Sequence, residues 1–482
     1  MLRHGLRRAV ASCFAVGAMA LLLGPSGAGS AGADLGAAAR PNIVVIMTDD
    51  QAVGDMIALP QVRQLIGDEG VTFENSFAVF PLCCPSRATF LTGQYAHNHG
   101  VVDNKPPFGG YTALDPAQTL PVWLQGAGYA TIQIGKYLNG YEHYGAEVPP
   151  GWTEWNGAVN LSYYGGALSV NGTVTPLPPD AYQTDSYSAL ARSAIARFAP
   201  QAQPFFLWVT PYAVHDGGPT EPDDLPGGAR SPARAERHRG LYATATLPQP
   251  PSFNVPRRPN LLPLDFEQIG VLEQRYRQRL EALLAVDEMV AAVVQALTDA
   301  GELENTVLIF TSDNGWLYGE HALSGKQWFY DPSTRVPLLM RGPDIPHGVH
   351  LDQFAANIDL APTILSYAEV VPPFELDGRS LRPLFGDLAL TWERELLIEN
   401  RGVLTPLPYW RALRTPHYLY AEFPNVGVAE LYDVVADPHQ LMNLAREPEY
   451  ALVVAALSQR IVALTQCRGA DCRTPAPPVE LG

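Results

Sequence analysis

Short apolar runs alternate with longer stretches of helical spacing along this chain. Residues 43–47, entered from Asn42, are unbroken apolar, the pattern of a strand buried on both faces of a parallel sheet. Similar runs recur at 131–134, 205–210, 307–311 and 336–340. Between them, apolar positions three and four apart predict helices over 60–66, 120–126, 186–198 and a long one over 266–297. Strand–helix alternation of this kind predicts an α/β sandwich with helices on both faces of one sheet. No internal repeat is evident. Residues 216–264, rich in Pro, Gly and Arg, are far longer than an ordinary connection and are expected to border the active-site mouth.

The chain begins with Arg3, Arg7 and Arg8, an apolar stretch over 9–23 and a small-residue run through Ala31-Gly32-Ala33. That order predicts a cleaved signal peptide over 1–33 and a secreted or extracytoplasmic protein. No other stretch is long and apolar enough to span a bilayer. The remainder suits one large domain, 34–390, with a smaller one, 391–482. A 47% apolar and 17% charged composition describes a globular protein with a substantial core. The net charge of −17 argues against nucleic acid or an anionic membrane as partner. An anionic substrate would need cationic side chains gathered in one cleft. Five cysteines are too few for a disulfide scaffold, although Cys467 and Cys472 can close a small loop in an oxidising compartment.

Candidate chemistry concentrates at Cys83-Cys84-Pro85-Ser86-Arg87-Ala88-Thr89-Phe90-Leu91-Thr92-Gly93. Pro85 suits a first helical turn and Gly93 a helix stop. Cys83 then sits at a helix N-terminus, where free N–H groups favour an anion, and Arg87 follows one turn later. For a plain thiol that position is expected to lower the pKa. Cys84 reads as packing. The first run ends in Asp49-Asp50 and the fourth in Asp313-Asn314. In open α/β sheets ligands gather beyond the carboxyl ends of strands, and an all-oxygen set suits a hard cation, Ca2+ or Mg2+. Either pair taken alone reads equally well as a cap or turn. His97 and His99 lack a second cluster for zinc and read as structural. Trp152, Trp155, Trp316 and Trp328 read first as core.

The pattern C-x-P-S-R-x-x-x-L-T-G resembles that of the type I sulfatases, and the resemblance runs from about residue 41 to 474. It implies an alkaline-phosphatase-like sandwich, a large mostly parallel sheet flanked by helices, with a smaller C-terminal α+β domain. It implies that a separate maturation enzyme oxidises Cys83 to formylglycine, whose hydrate is the nucleophile. Asp49, Asp50, Asp313 and Asn314 match the pairs that bind Ca2+ beside residue 83. Residues 128–136 resemble the second family signature, whose lysine, here Lys136, contacts sulfate. Residues 315–326 resemble the segment that brings another active-site lysine, here Lys326. His215 stands where the family has a catalytic histidine, and Arg87 would share the nucleophile's charge. Leu431-Tyr432-Asp433, Asp437-Pro438 and Asn443-Leu444 resemble the C-terminal segment of the smaller domain.

Tyr95-Ala96-His97-Asn98-His99, Gly135-Lys136-Tyr137-Leu138-Asn139 and Cys467 with Cys472-Arg473-Thr474 look like the N-acetylglucosamine-6-sulfatase and extracellular heparan-sulfate 6-sulfatase branch. The general motif has His two residues after the lysine; Leu138 stands there, with Asn139 beside it as a substitute. The resemblance implies a secreted hydrolase releasing sulfate from a sulfated carbohydrate or other sulfate ester. The rival readings are a phosphodiesterase or phosphonate monoester hydrolase of the same superfamily, and a non-catalytic binding protein with an unmodified thiol. Lys136 and Lys326 favour sulfate.

Overall fold

The apolar run after Asn42 is strand β1 (Asn42–Thr48), buried at every position. The computed structural model describes residues 40–218, 221–225, 231–257, 261–401 and 408–474; the expected signal segment, 1–33, lies outside them. β1 occupies the middle of a ten-stranded sheet. The other strands are β2 (Val71–Phe73), β3 (Ala130–Gly135), β4 (Glu154–Asn160), β5 (Ala167–Val170), β6 (Thr173–Pro176), β7 (Phe205–Thr210), β8 (Thr306–Ser312), β9 (Leu338–Arg341) and β10 (Val349–Leu351). Their order is β10-β2-β9-β8-β1-β7-β3-β4-β5-β6.

Parallel pairing holds through the centre, from β8 through β1, β7 and β3 to β4. Toward the edges β9 runs antiparallel to β8 and to β2, and β4–β6 form an antiparallel meander. The sheet is therefore mixed, with its parallel part where helices cover both faces. The edge strands carry no apolar run, since β6 is exposed along its length, and that is why hydrophobic periodicity does not reveal them.

Successive side chains on the central strands point to opposite faces. Val44, Ile46, Ile134 and Leu207 face one apolar layer; Ile43, Val45, Met47 and Trp208 face the other. Helix α1 (Cys83–Thr92) packs in the second layer through Phe90 and Leu91. Helices α2 (Gln183–Phe198) and α3 (Phe266–Asp299) close the first, with Tyr187, Ile195, Leu283 and Val290 on the sheet. Each such side chain contributes about 1.5–3 kcal/mol on burial. Asp265 and Gln268 exchange hydrogen bonds at the start of α3, a capping box that fixes where the helix begins.

A separate four-stranded antiparallel sheet follows: β11 (Leu396–Asn400), β12 (Trp410–Arg414), β13 (Tyr418–Phe423) and β14 (Val428–Asp433). Leu397, Leu413 and Leu431 face helix α4 (Ala451–Leu464) through Val453, Leu457 and Ile461. The opposite face, with Ile398, Ala412 and Leu419, packs on Leu317, Phe329 and Tyr330. The small sheet thus braces the segment that carries Lys326. Asp437 accepts from the backbone of Met442, and Asn443 from that of Leu431, so these two C-terminal motif residues serve turns. Cys467 and Cys472 are disulfide-bonded. Among the described residues no helix is long and apolar enough to cross a membrane.

Candidate active site

Register brings the two acidic pairs together. Thr48 of β1 lies opposite Ser312 of β8, so Asp49-Asp50 and Asp313-Asn314 leave the sheet side by side at its carboxyl edge. The Asp50 N–H donates to Asp313 Oδ1 at 3.0 Å and Asn314 Nδ2 donates to Asp50 Oδ1 at 2.8 Å. Asp50 has φ 67°, a left-handed conformation that Asp tolerates better than most residues.

Helix α1 opens at Cys83 after extended Leu82 and closes at Gly93, whose φ is 63°. A Cβ at Gly93 would come 2.9 Å from Leu376 Cδ1. Ser86 Oγ donates to the Asp313 carbonyl, and Asn357 Nδ2 donates to Ser86 Oγ at 2.8 Å. These bonds pin the first turn of the helix to the end of β8. Lys136 follows β3, its N–H donating to the Thr210 carbonyl at 2.9 Å. Lys326 is held from both sides through the next residue: the Gln327 N–H donates to Pro81 O at 3.1 Å, and Trp410 Nε1 donates to Gln327 O at 3.2 Å. His215 stacks on Tyr212 at 5.0 Å, and its Nδ1 bonds the Asp216 carbonyl. With Nδ1–H donating there, Nε2 is left facing the cluster.

The predicted residues converge. Cys83 Sγ lies 3.3 Å from Asp49 Oδ1, 3.7 Å from Asp50 Oδ1 and 2.7 Å from Lys326 Nζ. Lys326 also pairs with Asp50, and Lys136 with Asp49. Arg87 donates through Nε to Asp313 Oδ2 at 2.8 Å and through Nη1 to the Lys136 carbonyl at 2.9 Å. His215 Nε2 stands 3.6 Å from Asp50 Oδ2.

The charges are strongly coupled. Burial opposes ionisation of Asp49, but Lys136, His215, Arg87 and Lys326 outweigh it and hold the carboxyl well below its ordinary range. Burial likewise opposes Asp50, and Lys326 and His215 overcome it. Asp313 is pushed up to about 6 by burial and by repulsion from Asp49. Burial lowers His215, against the pull of Asp50 and Asp49. The surroundings of Cys83 do not favour the expected reactive thiolate. Burial, then Asp49, raises the Cys83 thiol well above its usual range, and the two lysines do not compensate. A helix N-terminus favours the anion, but full desolvation beside two carboxylates outweighs it.

Asp49, Asp50, Cys83 and His215 offer ligand atoms within 4.8 Å of one another, Asp313 and Asn314 bond Asp50 beside them, and carboxylate oxygens suit a hard cation. Asp50 Oδ2 and Asn314 Oδ1 are buried with no hydrogen-bond partner, the state expected of oxygens meant for an ion. The oxygen-only chemistry of Asp49, Asp50, Asp313 and Asn314 fits a divalent metal.

Outside this cluster, Leu138 is buried in the apolar layer. Asn139 accepts from the Tyr111 N–H at 2.7 Å through its carbonyl, leaving a buried Oδ1 without a partner. His99 bonds Thr89 of α1 and His97 bonds Glu399, both structural contacts. Burial pushes the Cys84 thiol to about 12. Trp152, Trp155, Trp316 and Trp328 are buried. The described part of 216–264 reaches the site at Asp216 and covers the segment after Asn314, where the His321 N–H donates to Ser252 O at 2.7 Å. Sequence reasoning passed over Asn357, Asp55, Tyr318 and Arg279. Only Arg279 left a signal, a charge on a helix face otherwise set by Tyr276, Leu280 and Leu283.

Buried carboxylates, two lysines and a helix N-terminus gathered around one residue make a site suited to hydrolysing anionic esters. The sulfatase family model matches residues 41–370, and a model described as N-sulphoglucosamine sulphohydrolase, C-terminal, matches residues 319–467. The chain is 32% identical to the N-acetylglucosamine-6-sulfatase of Capra hircus over 494 residues, covering 90% of this chain and 85% of the relative. A solved structure of BT4656 in complex with its substrate, D-glucosamine-2-N,6-O-disulfate, superposes with a TM-score of 0.74 at 25% identity, over 88% of this chain and 97% of that one. The phosphonate monoester hydrolase of Agrobacterium radiobacter shares the fold, with a TM-score of 0.63 at 23% identity over 88% of this chain and 95% of that one. The chain belongs to the sulfatase family and is a sulfuric ester hydrolase.

Proposed function

We propose that this protein is a secreted sulfatase that releases inorganic sulfate from 6-sulfated N-acetylglucosamine, with residue 83 matured to formylglycine and Ca2+ held by Asp49, Asp50, Asp313, Asn314 and residue 83. One observation carries the reading. The residue that the family oxidises stands at a buried helix N-terminus within 3.7 Å of both Asp49 and Asp50 and 2.7 Å from a lysine. Hydrated formylglycine supplies one hydroxyl to attack sulfur and a second through which sulfate is released, and the cation supplies positive charge beside it.

The chain's own residues do the remaining work. Asp49 Oδ1, 3.3 Å from the position 83 side chain, orients or accepts its proton. Lys136 and Lys326 bind sulfate oxygens, where fixed positive charge is worth most in a site closed to water. Arg87 holds Asp313 as a carboxylate through its 2.8 Å bond. His215, fixed by the Asp216 carbonyl on Nδ1, turns Nε2 to the cluster, and as the imidazolium, favoured against burial by Asp50 and Asp49, it donates the Nε2 proton to the leaving oxygen and is left neutral. The choice of sugar is supported by the goat relative and by the ligand of the BT4656 complex. Secretion is supported by residues 1–33, and the maturation enzyme is the implied protein partner.

Matured protein incubated with N-acetylglucosamine-6-sulfate should release sulfate measurable by ion chromatography. Chelation should stop it and added Ca2+ restore it. Hydrolysis of a phosphonate monoester or phosphodiester without sulfate release would overturn the reading.

A further inference from the structure

We infer that Arg279 is a positioning residue of the hydrolytic site, one buried guanidinium that sets the metal-side aspartate and the leaving-group histidine relative to each other. The inference rests on the roles proposed above for Asp50 and His215. Arg279 lies midway along α3 and is fully buried. Its Nη2 donates to the main-chain carbonyl of Asp50, and its Nη1 to that of Val214, adjacent to His215, at 3.0 Å. Nε donates to the Tyr318 hydroxyl at 2.6 Å, and that hydroxyl donates to Asp55 at 2.9 Å. The guanidinium carbon sits 4.4 Å from the Trp316 ring. Asp216 Oδ1, 3.6 Å away, and Asp55 Oδ2, 3.8 Å away, balance the charge.

The two carbonyls are the informative partners. Asp50 holds its left-handed φ of 67° with its carbonyl on Arg279, so the direction of its carboxylate depends on that peptide plane. His215 is gripped on both sides. Val214 before it bonds Arg279, and Asp216 after it accepts from the imidazole and pairs with Arg279. The two loops are also laced directly: the Asp49 N–H donates to Ala213 O at 3.2 Å, and the Val214 N–H to Asp49 O at 3.0 Å. Only a rigid planar fork of five donors reaches all these acceptors at once; lysine offers a single point charge. A buried cation is not by itself a source of stability, since an apolar isostere often serves as well. The geometry here gives the charge a different task, fixing the 3.6 Å gap between His215 Nε2 and Asp50 Oδ2.

The test compares wild type with Arg279→Lys, Arg279→Met and Tyr318→Phe, each checked for native circular dichroism. The first readout is Ca2+ affinity by titration calorimetry, expected to weaken about tenfold in the Arg279 variants, the scale of losing an outer partner of a metal ligand. The second compares kcat on N-acetylglucosamine-6-sulfate with kcat on 4-nitrophenyl sulfate, whose good leaving group needs little help from an acid. The sugar ester should lose about tenfold or more at nearly unchanged KM, the aryl ester much less. Equal losses on both esters, or unchanged Ca2+ affinity in a folded variant, overturn the inference. If the Arg279 variants do not fold, Tyr318→Phe carries both readouts, with smaller losses in the same direction expected and none overturning. A wild type inactive on every sulfate ester refutes the proposed function, and the Ca2+ comparison still decides the positioning role. A wild type that binds no Ca2+ overturns it.

Discussion

At the scale of single residues, the site is a balance of buried charges, and that balance makes its substitutions predictable. Cys83→Ala should abolish sulfate release while thermal unfolding stays near wild type, because the polar partners of Sγ are the site's own charged groups, Asp49, Asp50 and Lys326. Preserved turnover would refute the nucleophile assignment. Lys326→Met leaves Asp50 facing Asp49 without its largest compensating charge. It should therefore raise KM for the sulfated sugar and lower kcat, together costing at least about a hundredfold in kcat/KM; a loss under threefold would remove Lys326 from sulfate binding. Much of this scale was legible in the sequence, because Cys83, Arg87, Asp49, Asp50, Asp313 and Asn314 carry their chemistry in residue type and spacing. The upward push on the Cys83 thiol was not. Helix polarity can be read from Pro85 and Gly93, whereas the depth of burial comes from the fold.

At the scale of elements, two features tie strands and helices to the site. Gly135 ends β3 at φ 104°, and a Cβ there would lie 2.2 Å from the Thr210 carbonyl. Gly135→Ala should cost about 2 kcal/mol or more and depress activity by displacing Lys136, read as a lowered melting temperature with reduced kcat. A variant as stable and active as wild type would contradict that packing. The short helix Ala96–His99 packs on α1 through His99, whose Nε2 bonds Thr89 Oγ1 while Nδ1 accepts from the Val101 N–H, both at 3.1 Å. Burial, reinforced by His97, pushes His99 from 6.5 down to about 3. The fold therefore favours the neutral ring. Its contribution to stability is fully present above pH 6.5 and is lost as pH falls toward 3. His99→Gln should flatten the decline in melting temperature over that window, and an identical slope in wild type and variant would contradict it. The central strands and major helices were legible because their periods are clean; the antiparallel edge strands were not, since exposed β6 has no apolar face to announce it.

At the scale of the whole molecule, a chain of net charge −17 processes an anion. Long-range repulsion is screened by salt, with a Debye length of about 30 Å at 0.01 M falling to about 8 Å at 0.15 M, whereas the ion pairs of Lys136 and Lys326 are buried and barely screened. kcat/KM for a sulfated sugar should thus rise on adding salt across this range. A steep fall would mean that a cationic approach surface dominates instead. The net charge could be read from composition, but the bracing of Lys326 between Pro81 and Trp410 could not, because it depends on how the small sheet packs. The most direct test of the account is the mass of the peptide carrying residue 83, taken from a preparation that releases sulfate. Oxidation of Cys83 to formylglycine exchanges sulfur for oxygen and removes two hydrogens, so a drop of about 18 Da is predicted. An unmodified thiol in an active preparation would contradict the account at its centre.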